Sequence, residues 1–277
     1  MPMTPTTPKT IVITGASDGT GLSAARRLVR DRHQVIIVGR SPDKTRAAAR
    51  ELGTDFFTAD FARLDDVRAL ASQLAARCPR IDVLANNAGA ILGERTVTAD
   101  GFEESFQVNY LAPFLLTNLL IGNLLAGGAS VIQTSSNAAR LSSHVDLDDL
   151  DNSRRHSPVR AYSNAKMELI LFTQELHRRY RSQGLSAVAF HPGGVCSNFA
   201  RNSRSPVGTL FRSPIPRLFF QSPDKAARQL LWLATSEPDQ SWQSGGYYEK
   251  GELRAVKTPP FAADLWDRSA QLVGVVL

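Results

Sequence analysis

The sequence predicts an α/β domain in which helices cover both faces of a doubly wound parallel β-sheet. Five short runs of β-branched or apolar residues, about 25–55 residues apart, are typical of buried parallel strands. The stretches between these runs place apolar residues three and four positions apart, which is typical of amphipathic helices. A chain of 277 residues suits one such domain, because α/β sheets grow to about 250 residues as single units.

The expected elements alternate between strand and helix along the chain. The runs that predict strands occupy residues 11–13, 35–38, 81–84, 131–132 and 188–190. The periodic stretches that predict helices occupy residues 22–29, 64–74, 102–125 and 161–180. This alternation requires right-handed crossovers, which place helices on both faces of one parallel sheet.

Three segments lie outside this alternation. Residues 1–8 are rich in Pro and Thr, and we expect them to form a disordered tail before a single domain at residues 9–277. Residues 137–160 and 199–222 lack a regular pattern. We expect both segments to lie over one end of the sheet. Loops of such length without regular structure tend to be functional or mobile.

The composition is that of a globular protein that folds without disulfides or a metal. Hydrophobic residues make up 43% of the chain and charged residues 21%. Cys78 and Cys196 lie far apart and lack metal-ligand spacing, so we expect a reducing, cytoplasmic setting and no metal site. No run approaches the ~18 apolar residues of a membrane span, so no span is expected. The net charge of +6 indicates an anionic partner without naming it.

A glycine turn follows the first predicted strand. Residues 14–21 read Thr-Gly-Ala-Ser-Asp-Gly-Thr-Gly and lead into a predicted helix. Glycines let the backbone approach a pyrophosphate closely, and a helix N-terminus offers free N–H groups and a positive dipole end. The turn therefore predicts a dinucleotide site, although the same glycines would also serve a tight turn that binds nothing.

Arg40 ends the second predicted strand, where an acidic residue would accept the ribose hydroxyls of NAD. An Arg there can bind the 2′-phosphate of NADP, so NADP(H) is preferred and NAD(H) is the alternative cofactor. A solvated surface Arg is the other interpretation. Residues 26–50 carry eight Arg and Lys against two Asp, so positive charge clusters around Arg40. Residues 176–223 hold seven Arg and no acidic residue, which leaves an anionic substrate group open.

Tyr162 and Lys166 stand four residues apart, on one face of a predicted helix. A Tyr has a reference pKa near ~10, and an adjacent cation favours its phenolate. A Tyr whose pKa is lowered in this way can exchange a proton with a substrate oxygen. An exposed pair without a chemical role is the alternative for this motif taken alone.

Several motifs occur in one order over roughly residues 9–250. They are Thr14-Gly15-x-x-x-Gly19-x-Gly21, Asn86-Asn87-Ala88-Gly89, Asn109, Ser135-Ser136, Tyr162-x-x-x-Lys166 and Pro192-Gly193. As an ordered set they resemble the short-chain dehydrogenase/reductase family, whose fold is of the Rossmann type. The acidic insert before Tyr162 and residues 265–269 make the chain most similar to the retinol-dehydrogenase-like branch.

The resemblance implies an enzyme that interconverts a carbonyl and an alcohol by hydride transfer. Tyr162 would be the general acid and base, and Ser136, rather than Ser135, would hydrogen-bond the substrate carbonyl. Lys166 would bind the nicotinamide ribose and lower the pKa of Tyr162. Asn109 would hold a water through its main chain and so extend the proton path to solvent.

The resemblance also implies cofactor contacts near the ends of the predicted strands. Asp60 and Phe61 would contact the adenine, and residues 87–89 would lie along the cofactor. The expected cofactor-binding residues are Gly15, Ser17, Asp18, Gly19, Thr20, Gly21, Arg40, Asp60, Phe61, Asn87, Ala88, Gly89, Tyr162, Lys166, Pro192, Gly193, Val195 and Ser197.

The expected substrate is a small, largely apolar carbonyl or alcohol compound. Residues 199–222 would form the substrate loop, which closes over this compound. The loop contains four aromatic rings, namely Phe199, Phe211, Phe219 and Phe220. Packing of these rings onto the domain, without a role in binding, is the alternative.

A regulatory protein and a nucleic-acid-binding protein are the two alternatives to an enzyme. A non-catalytic NADP-binding regulatory protein of this fold would usually lose the Tyr or the Lys, and this chain keeps both. A nucleic-acid partner is not expected, because the positive charge is confined to two segments. Family members pair through helices such as those expected at 102–125 and 158–181. The resemblance therefore implies a homodimer or homotetramer, which the insert before Tyr162 could block.

Overall fold

An eight-stranded sheet forms the centre of the protein. The computed structural model describes residues 7–141, 145–194 and 221–275. In chain order the strands are β1 (Thr10–Thr14), β2 (Gln34–Gly39), β3 (Asp55–Thr58), β4 (Val83–Asn86), β5 (Ser130–Thr134), β6 (Ser186–His191), β7 (Tyr247–Glu249) and β8 (Glu252–Leu253). They lie in the order β3-β2-β1-β4-β5-β6-β7-β8, and all neighbours are parallel except β7 and β8. Between β1 and β4 the strand order reverses, and in such sheets a ligand crevice opens there at the carboxyl ends.

Helices connect the strands. They are α1 (Gly19–Arg30), α2 (Pro42–Leu52), α3 (Leu64–Arg77), α4 (Glu104–Phe106), α5 (Ala112–Leu119), α6 (Ile121–Gly127), α7 (Pro158–Tyr180), α8 (Pro223–Thr235) and α9 (Ala262–Val273). A π-helical turn (Gln107–Leu111) joins α4 to α5, and a 3₁₀ segment (Asn137–Leu141) follows β5. Ser41, Ser157 and Ser222 cap α2, α7 and α8, and each precedes a Pro whose fixed φ suits the first helical turn.

The strands are apolar on both sides because both faces of the sheet are covered. Along β1, Ile11 and Ile13 belong to a core cluster with α1 and α8. Val12, which points the other way, belongs to a second cluster with α3, α5, α7 and α9. The predicted α/β architecture, with a doubly wound sheet and helices on both faces, is therefore confirmed.

The strands near both edges of the sheet were missed by the search for apolar runs. β3 is partly exposed, and β7 and β8 have only three and two residues. Strands this short carry too few apolar residues to form a distinct run. The strand expected from residue 81 begins instead at Val83. It follows Asp82, whose carboxylate accepts a hydrogen bond from the Thr10 N–H at 2.7 Å.

The expectation of one helix over residues 102–125 was wrong, because the region consists of α4, the π-helical turn, α5 and α6. The turn comes just before Pro113, which has no N–H to donate to the carbonyl of Asn109. A bend of 66° at Leu120 then separates α5 from α6. Over the part of the chain that the structure describes, no single helix could cross a membrane. Within the same residues, the helices on the two sides of this bend have the length and composition of a span when they are taken together.

Two segments of the chain itself cover α5 and α7. The indole of Trp266, on α9, lies 5.2 Å from the ring of Phe114 and 5.4 Å from that of Phe172, centroid to centroid. Asn152, in the insert before Tyr162, accepts a hydrogen bond from Asn164 of α7 at 2.6 Å. The pairing of chains through these helix regions stays a prediction, and it would have to use the surface that both segments leave open.

Trp266→Ala should lower the free energy of unfolding by about 3–5 kcal/mol, because a fully buried side chain is removed from the contact of three helices. Urea unfolding followed by circular dichroism measures this loss. Leu141→Ala is the control, since Leu141 is 71% exposed. It should change the free energy of unfolding by less than about 0.5 kcal/mol. If Trp266→Ala lowered the free energy of unfolding as little as the control does, α9 would not be part of the core.

Candidate active site

The carboxyl ends of β4, β5 and β6 meet at one edge of the sheet, and the predicted catalytic side chains lie beside it. Ser136 follows β5, and α7 presents Tyr162 and Lys166 from one helical face. The Ser136 hydroxyl and the Tyr162 phenol form a hydrogen bond. Lys166 Nζ donates to the Thr134 carbonyl at 2.9 Å and lies 5.5 Å from the centroid of the Tyr162 ring. The structure thus brings together three of the four residues expected to act in catalysis.

The two adjacent serines have different partners. Ser135 is buried, and its Oγ donates to the main-chain carbonyl of Lys166 at 2.7 Å. Ser136 Oγ accepts a hydrogen bond from the N–H of Ala138 at 3.1 Å and also meets the Tyr162 phenol. Ser135 therefore ties β5 to α7, and Ser136 is the serine that the phenol can use.

Burial acts in opposite directions on the phenol and the ammonium. Tyr162 is 8% exposed and Lys166 is 2% exposed, so each loses most of the solvation that favours its charged form. Desolvation raises the pKa of Tyr162 above its ordinary value, and the hydrogen bond with Ser136 offsets this rise only in part. Desolvation lowers the pKa of Lys166 to about 7. The chain therefore holds Tyr162 as a neutral phenol at neutral pH, and the expected lowering of the Tyr162 pKa by Lys166 is not found.

Asn109 lies in the π-helical turn, and its side chain is bonded to main-chain groups. Asn109 Nδ2 donates to the carbonyls of Ala90 and Ser105 at 2.9 Å, and Asn109 Oδ1 accepts from the Ala90 N–H at 3.1 Å. The hydrogen bonds with Ala90 join the segment after β4 to the π-helical turn. Pro113 has no N–H to donate to the main-chain carbonyl of Asn109 in the α-helical pattern, and the turn follows the π-helical pattern instead, in which the Ala112 N–H donates to the Gln107 carbonyl. The resemblance implies that the Asn109 carbonyl holds a water, and this role stays a prediction.

Close contacts shape the glycine turn between β1 and α1. Gly15 has a φ of +66°, and a Cβ added there would lie 2.7 Å from the Cα of Ala88. A Cβ added at Gly21 would lie 2.6 Å from the Gly15 carbonyl oxygen and 2.7 Å from Asn87 Nδ2. Packing within the chain therefore demands both glycines, which keep the turn tight against the segment after β4.

Thr14 is a residue of this turn whose role the sequence analysis missed. Its Oγ1 accepts hydrogen bonds from the N–H groups of Asn87 and Ala88, both at 3.0 Å. Asn87 Nδ2 returns a hydrogen bond to the Thr14 carbonyl at 2.9 Å. These hydrogen bonds join the ends of β1 and β4. In the sequence, the position of a Thr directly before the first glycine of the turn could have indicated this role.

Other expected cofactor residues lie around the start of α1. Asp18 caps α1, and its carboxylate accepts a hydrogen bond from the Gly19 N–H at 2.7 Å. A Cβ added at Gly39 would lie 2.9 Å from Ser17 Oγ, so Ser17 packs against the end of β2. Thr20 and Gly89 are partly exposed. These residues surround the helix N-terminus that would meet a pyrophosphate.

Ion pairs account for part of the positive charge that the sequence clusters in two segments. Among residues 26–50 the pairs are Arg26 with Glu51, Arg27 with Asp31 and Arg46 with Asp43. In the second segment Arg178 and Arg179 pair with Glu175, and Arg181 pairs with Asp239. Arg40 is exposed, and within the described ranges no acidic side chain pairs with it. Over the same ranges, no three His, Cys, Asp or Glu side chains are arranged to hold a metal ion.

Asp60 and Phe61 differ in what they can offer a ligand. Asp60 is partly exposed, and its Oδ1 accepts a hydrogen bond from the Ala62 N–H at 3.1 Å. The Phe61 ring is buried in the core, and the Phe61 carbonyl accepts a hydrogen bond from Gln107 Nε2 at 3.2 Å. Asp60 therefore remains the residue of this pair with an accessible polar group.

Gln221 holds the turn after β6, and no sequence motif indicated it. Its Nε2 donates to the Pro192 carbonyl at 2.6 Å, and its N–H donates to the Gly194 carbonyl at 2.8 Å. Gly193 has a φ of +90°, and the Gln221 amide occupies the place of a Cβ there. The remaining residues of the expected substrate loop and nicotinamide segment lie outside the described residues: Val195, Ser197, Phe199, Phe211, Phe219 and Phe220.

Comparison with known proteins shows which family the chain resembles. The family model of short chain dehydrogenases matches residues 9–208. A protein of Streptomyces sp. (strain C5) assigned as daunorubicin C-13 ketoreductase DnrU is 39% identical over 278 residues, covering 96% of this chain and 93% of that protein. Human retinol dehydrogenase 13 is 34% identical, covering 96% of this chain and 85% of that protein.

Solved structures show the same fold. An uncharacterised protein from Mycobacterium paratuberculosis matches with a TM-score of 0.76 at 33% identity, covering 96% of this chain and 94% of that one. A short-chain dehydrogenase from Escherichia coli CFT073, solved with NADPH, matches with a TM-score of 0.68 at 25% identity, covering 87% of this chain and 95% of that one. The chain therefore belongs to the short-chain dehydrogenase/reductase family and, within it, to the retinol-dehydrogenase-like branch.

Proposed function

We propose that the protein is an NADPH-dependent oxidoreductase that reduces the carbonyl of a largely apolar substrate to an alcohol. The observation that carries this proposal is the buried contact between Ser136 and Tyr162, with Lys166 beside the phenol ring. These groups lie at the edge of the sheet where ligands bind in open α/β folds. An oxidoreductase that acts on alcohol and carbonyl groups is also what the family implies.

The residues around the glycine turn fit a nicotinamide dinucleotide. α1, with 12 residues, offers first-turn N–H groups and a positive dipole end to a pyrophosphate. The absence of a Cβ at Gly15 and Gly21 keeps this turn narrow. The exposed guanidinium of Arg40 can bind a 2′-phosphate, and NADPH in the Escherichia coli neighbour supports that choice. Bound NADPH would supply the hydride for the carbonyl carbon.

Tyr162 is the proton donor in this reaction. Its raised pKa keeps the phenol protonated at neutral pH, so a proton is available for the substrate oxygen. The Ser136 hydroxyl, which already bonds the phenol, directs the substrate oxygen to the same point. A protonated phenol is the form of Tyr162 that the reduction requires.

Lys166 and Asn109 replace the proton that Tyr162 loses. Because the pKa of Lys166 is lowered to about 7, its ammonium exchanges a proton readily near neutral pH. The Thr134 carbonyl holds the ammonium in place at 2.9 Å. The carbonyl of Asn109, to which Pro113 cannot donate, would hold the water that connects this group to solvent.

The relatives support an apolar substrate. One is named for retinol, which has a long apolar chain, and another for the C-13 carbonyl of daunorubicin. Leu141 ends the 3₁₀ segment that follows Ser136, and its side chain is 71% exposed. An exposed Leu at this place provides apolar surface near the catalytic edge.

Tyr162→Phe should lower kcat for NADPH-dependent reduction by about 10²–10⁴-fold, because the proton donor is lost while the ring remains. NADPH absorbance with a panel of aryl ketones, alkyl ketones and retinal measures turnover, and fluorescence titration measures the Kd of NADPH, which should not change. Tyr180→Phe makes the same chemical change elsewhere on α7 and should leave kcat unchanged. A fully active Tyr162→Phe variant would refute the proposed site.

Ser136→Ala should lower kcat by about 10²-fold, because a hydroxyl directed at the substrate oxygen is lost. Ser135→Ala should instead lower the free energy of unfolding by about 0.5–1.5 kcal/mol, because one buried hydrogen bond to the Lys166 carbonyl is lost. It should retain more of the wild-type kcat than Ser136→Ala does. Kinetics and urea unfolding of both variants separate the two roles, and the reverse order of effects would assign catalysis to Ser135.

Arg40→Ala should weaken NADPH binding by about tenfold or more, because a hydrogen bond to a charged group is worth about 1.5–3 kcal/mol. The Kd of NADH, which lacks the 2′-phosphate, should stay the same. Arg30→Ala, at the exposed end of α1, is the control and should leave both Kd values unchanged. If Arg40→Ala weakened the binding of NADPH and NADH equally, Arg40 would not bind the 2′-phosphate.

A further inference from the structure

Three residues outside the expected catalytic set form a network at the carboxyl edge of the sheet. The Arg140 guanidinium lies 3.0 Å from Glu249 Oε1, and the same oxygen accepts a hydrogen bond from the Tyr247 hydroxyl at 3.0 Å. We propose that this network, the Arg140–Tyr247–Glu249 clamp, positions Ser136 for the reaction with Tyr162. The inference rests on the proposed function, since it concerns the same catalytic pair.

β7 holds the acidic end of the clamp. Glu249 is the last residue of β7, and it pairs with His191 of β6 in the parallel register. Tyr247 and Glu249 are two residues apart, so their side chains point to the same face of the strand. Tyr247 is 3% exposed and the Glu249 side chain 17% exposed. A carboxylate with so little solvent makes strong hydrogen bonds and is costly to leave unpaired.

The 3₁₀ segment after β5 holds the basic end. Its first turn is closed by the Ala138 N–H, which donates to Ser136 Oγ at 3.1 Å, and by the Ala139 N–H, which donates to the Ser136 carbonyl at 3.1 Å. Arg140 follows in the same hydrogen-bonded segment. Attaching Arg140 to β7 therefore restrains the backbone that presents the Ser136 hydroxyl to the phenol.

The clamp lies at the same end of the sheet as the catalytic phenol. Tyr247 and Tyr162 are both buried, and burial is the main cause that raises the pKa of Tyr247, with Tyr162 as the smallest contribution. A second ion pair on the neighbouring strand differs in its surroundings, since the Arg254 and Glu252 side chains are 45% and 65% exposed. Exposed pairs of this kind contribute little, so the Arg254–Glu252 pair provides a matched control.

The experiment measures kcat and KM for R140Q, E249Q, R140Q/E249Q and R254Q, with the carbonyl compound of the panel that the wild type reduces fastest. R140Q and E249Q should each lower kcat about tenfold, because small displacements of a catalytic group are costly, and leave the Kd of NADPH unchanged. The double variant should lose no more than a single variant, because either change alone opens the clamp. R140K, which keeps the charge, should recover part of kcat, and R254Q should equal the wild type.

Three results would overturn the proposal: wild-type kcat in R140Q and E249Q, additive losses in the double variant, or losses of kcat that only follow losses of Tm. If E249Q does not fold, R140Q and R140K decide the question, since they change only the half-exposed partner. Y162F separates this inference from the proposed function. If Y162F is inactive while R140Q and E249Q keep the wild-type kcat, only the role of the clamp is rejected. If Y162F is active, the proposed catalytic site is rejected.

Discussion

The parallel register of β4, β5 and β6 is the constraint on which the site depends. Asn86 pairs with Gln133, and Gln133 pairs with Ala189, so the three strands end at one edge of the sheet. The segments that leave this edge carry Asn87 and Ser136, among other residues of the site. Because parallel strands need crossovers on the faces of the sheet, the same register brings α7 across β5 and β6 and delivers the phenol and the ammonium.

Burial on α7 links the fold to proton chemistry. An ammonium that is almost fully buried opposes folding, and a carbonyl at 2.9 Å compensates only part of its lost hydration. The same desolvation lowers the pKa of Lys166 and raises that of Tyr162, so the two pKa values move apart and the ammonium becomes the stronger acid of the pair. Buried ionisable groups with shifted pKa values are expected at functional sites, where chemistry needs groups whose burial costs stability.

The groups of the site are held by bonds between segments that are distant in sequence. Asn109 binds the main chain of Ala90, and Thr14 binds that of Asn87. The Arg140–Tyr247–Glu249 clamp joins the end of β5 to β7 in the same way. Each bond fixes a loop to a regular element, so the site is ordered by its supporting contacts before a ligand arrives.

Local sequence was enough to predict the alternation of strands and helices, because apolar residues repeat with the period of each element. It was also enough to place Tyr162 and Lys166 on one helical face, since four residues make about one turn. It did not predict the short edge strands, whose few residues form no pattern, or the break before Pro113, where the apolar periodicity continues across the change of helix type.

The outcome at other positions depended on tertiary contacts. Contacts between distant segments decide three features of the site. They decide which serine bonds the phenol, why the Phe61 ring is buried and which residue pairs with Arg140. The directions of the pKa shifts follow from how much water those segments exclude. Neighbouring residues in the chain do not determine these contacts or the exclusion of water, because both depend on how the helices pack over the sheet.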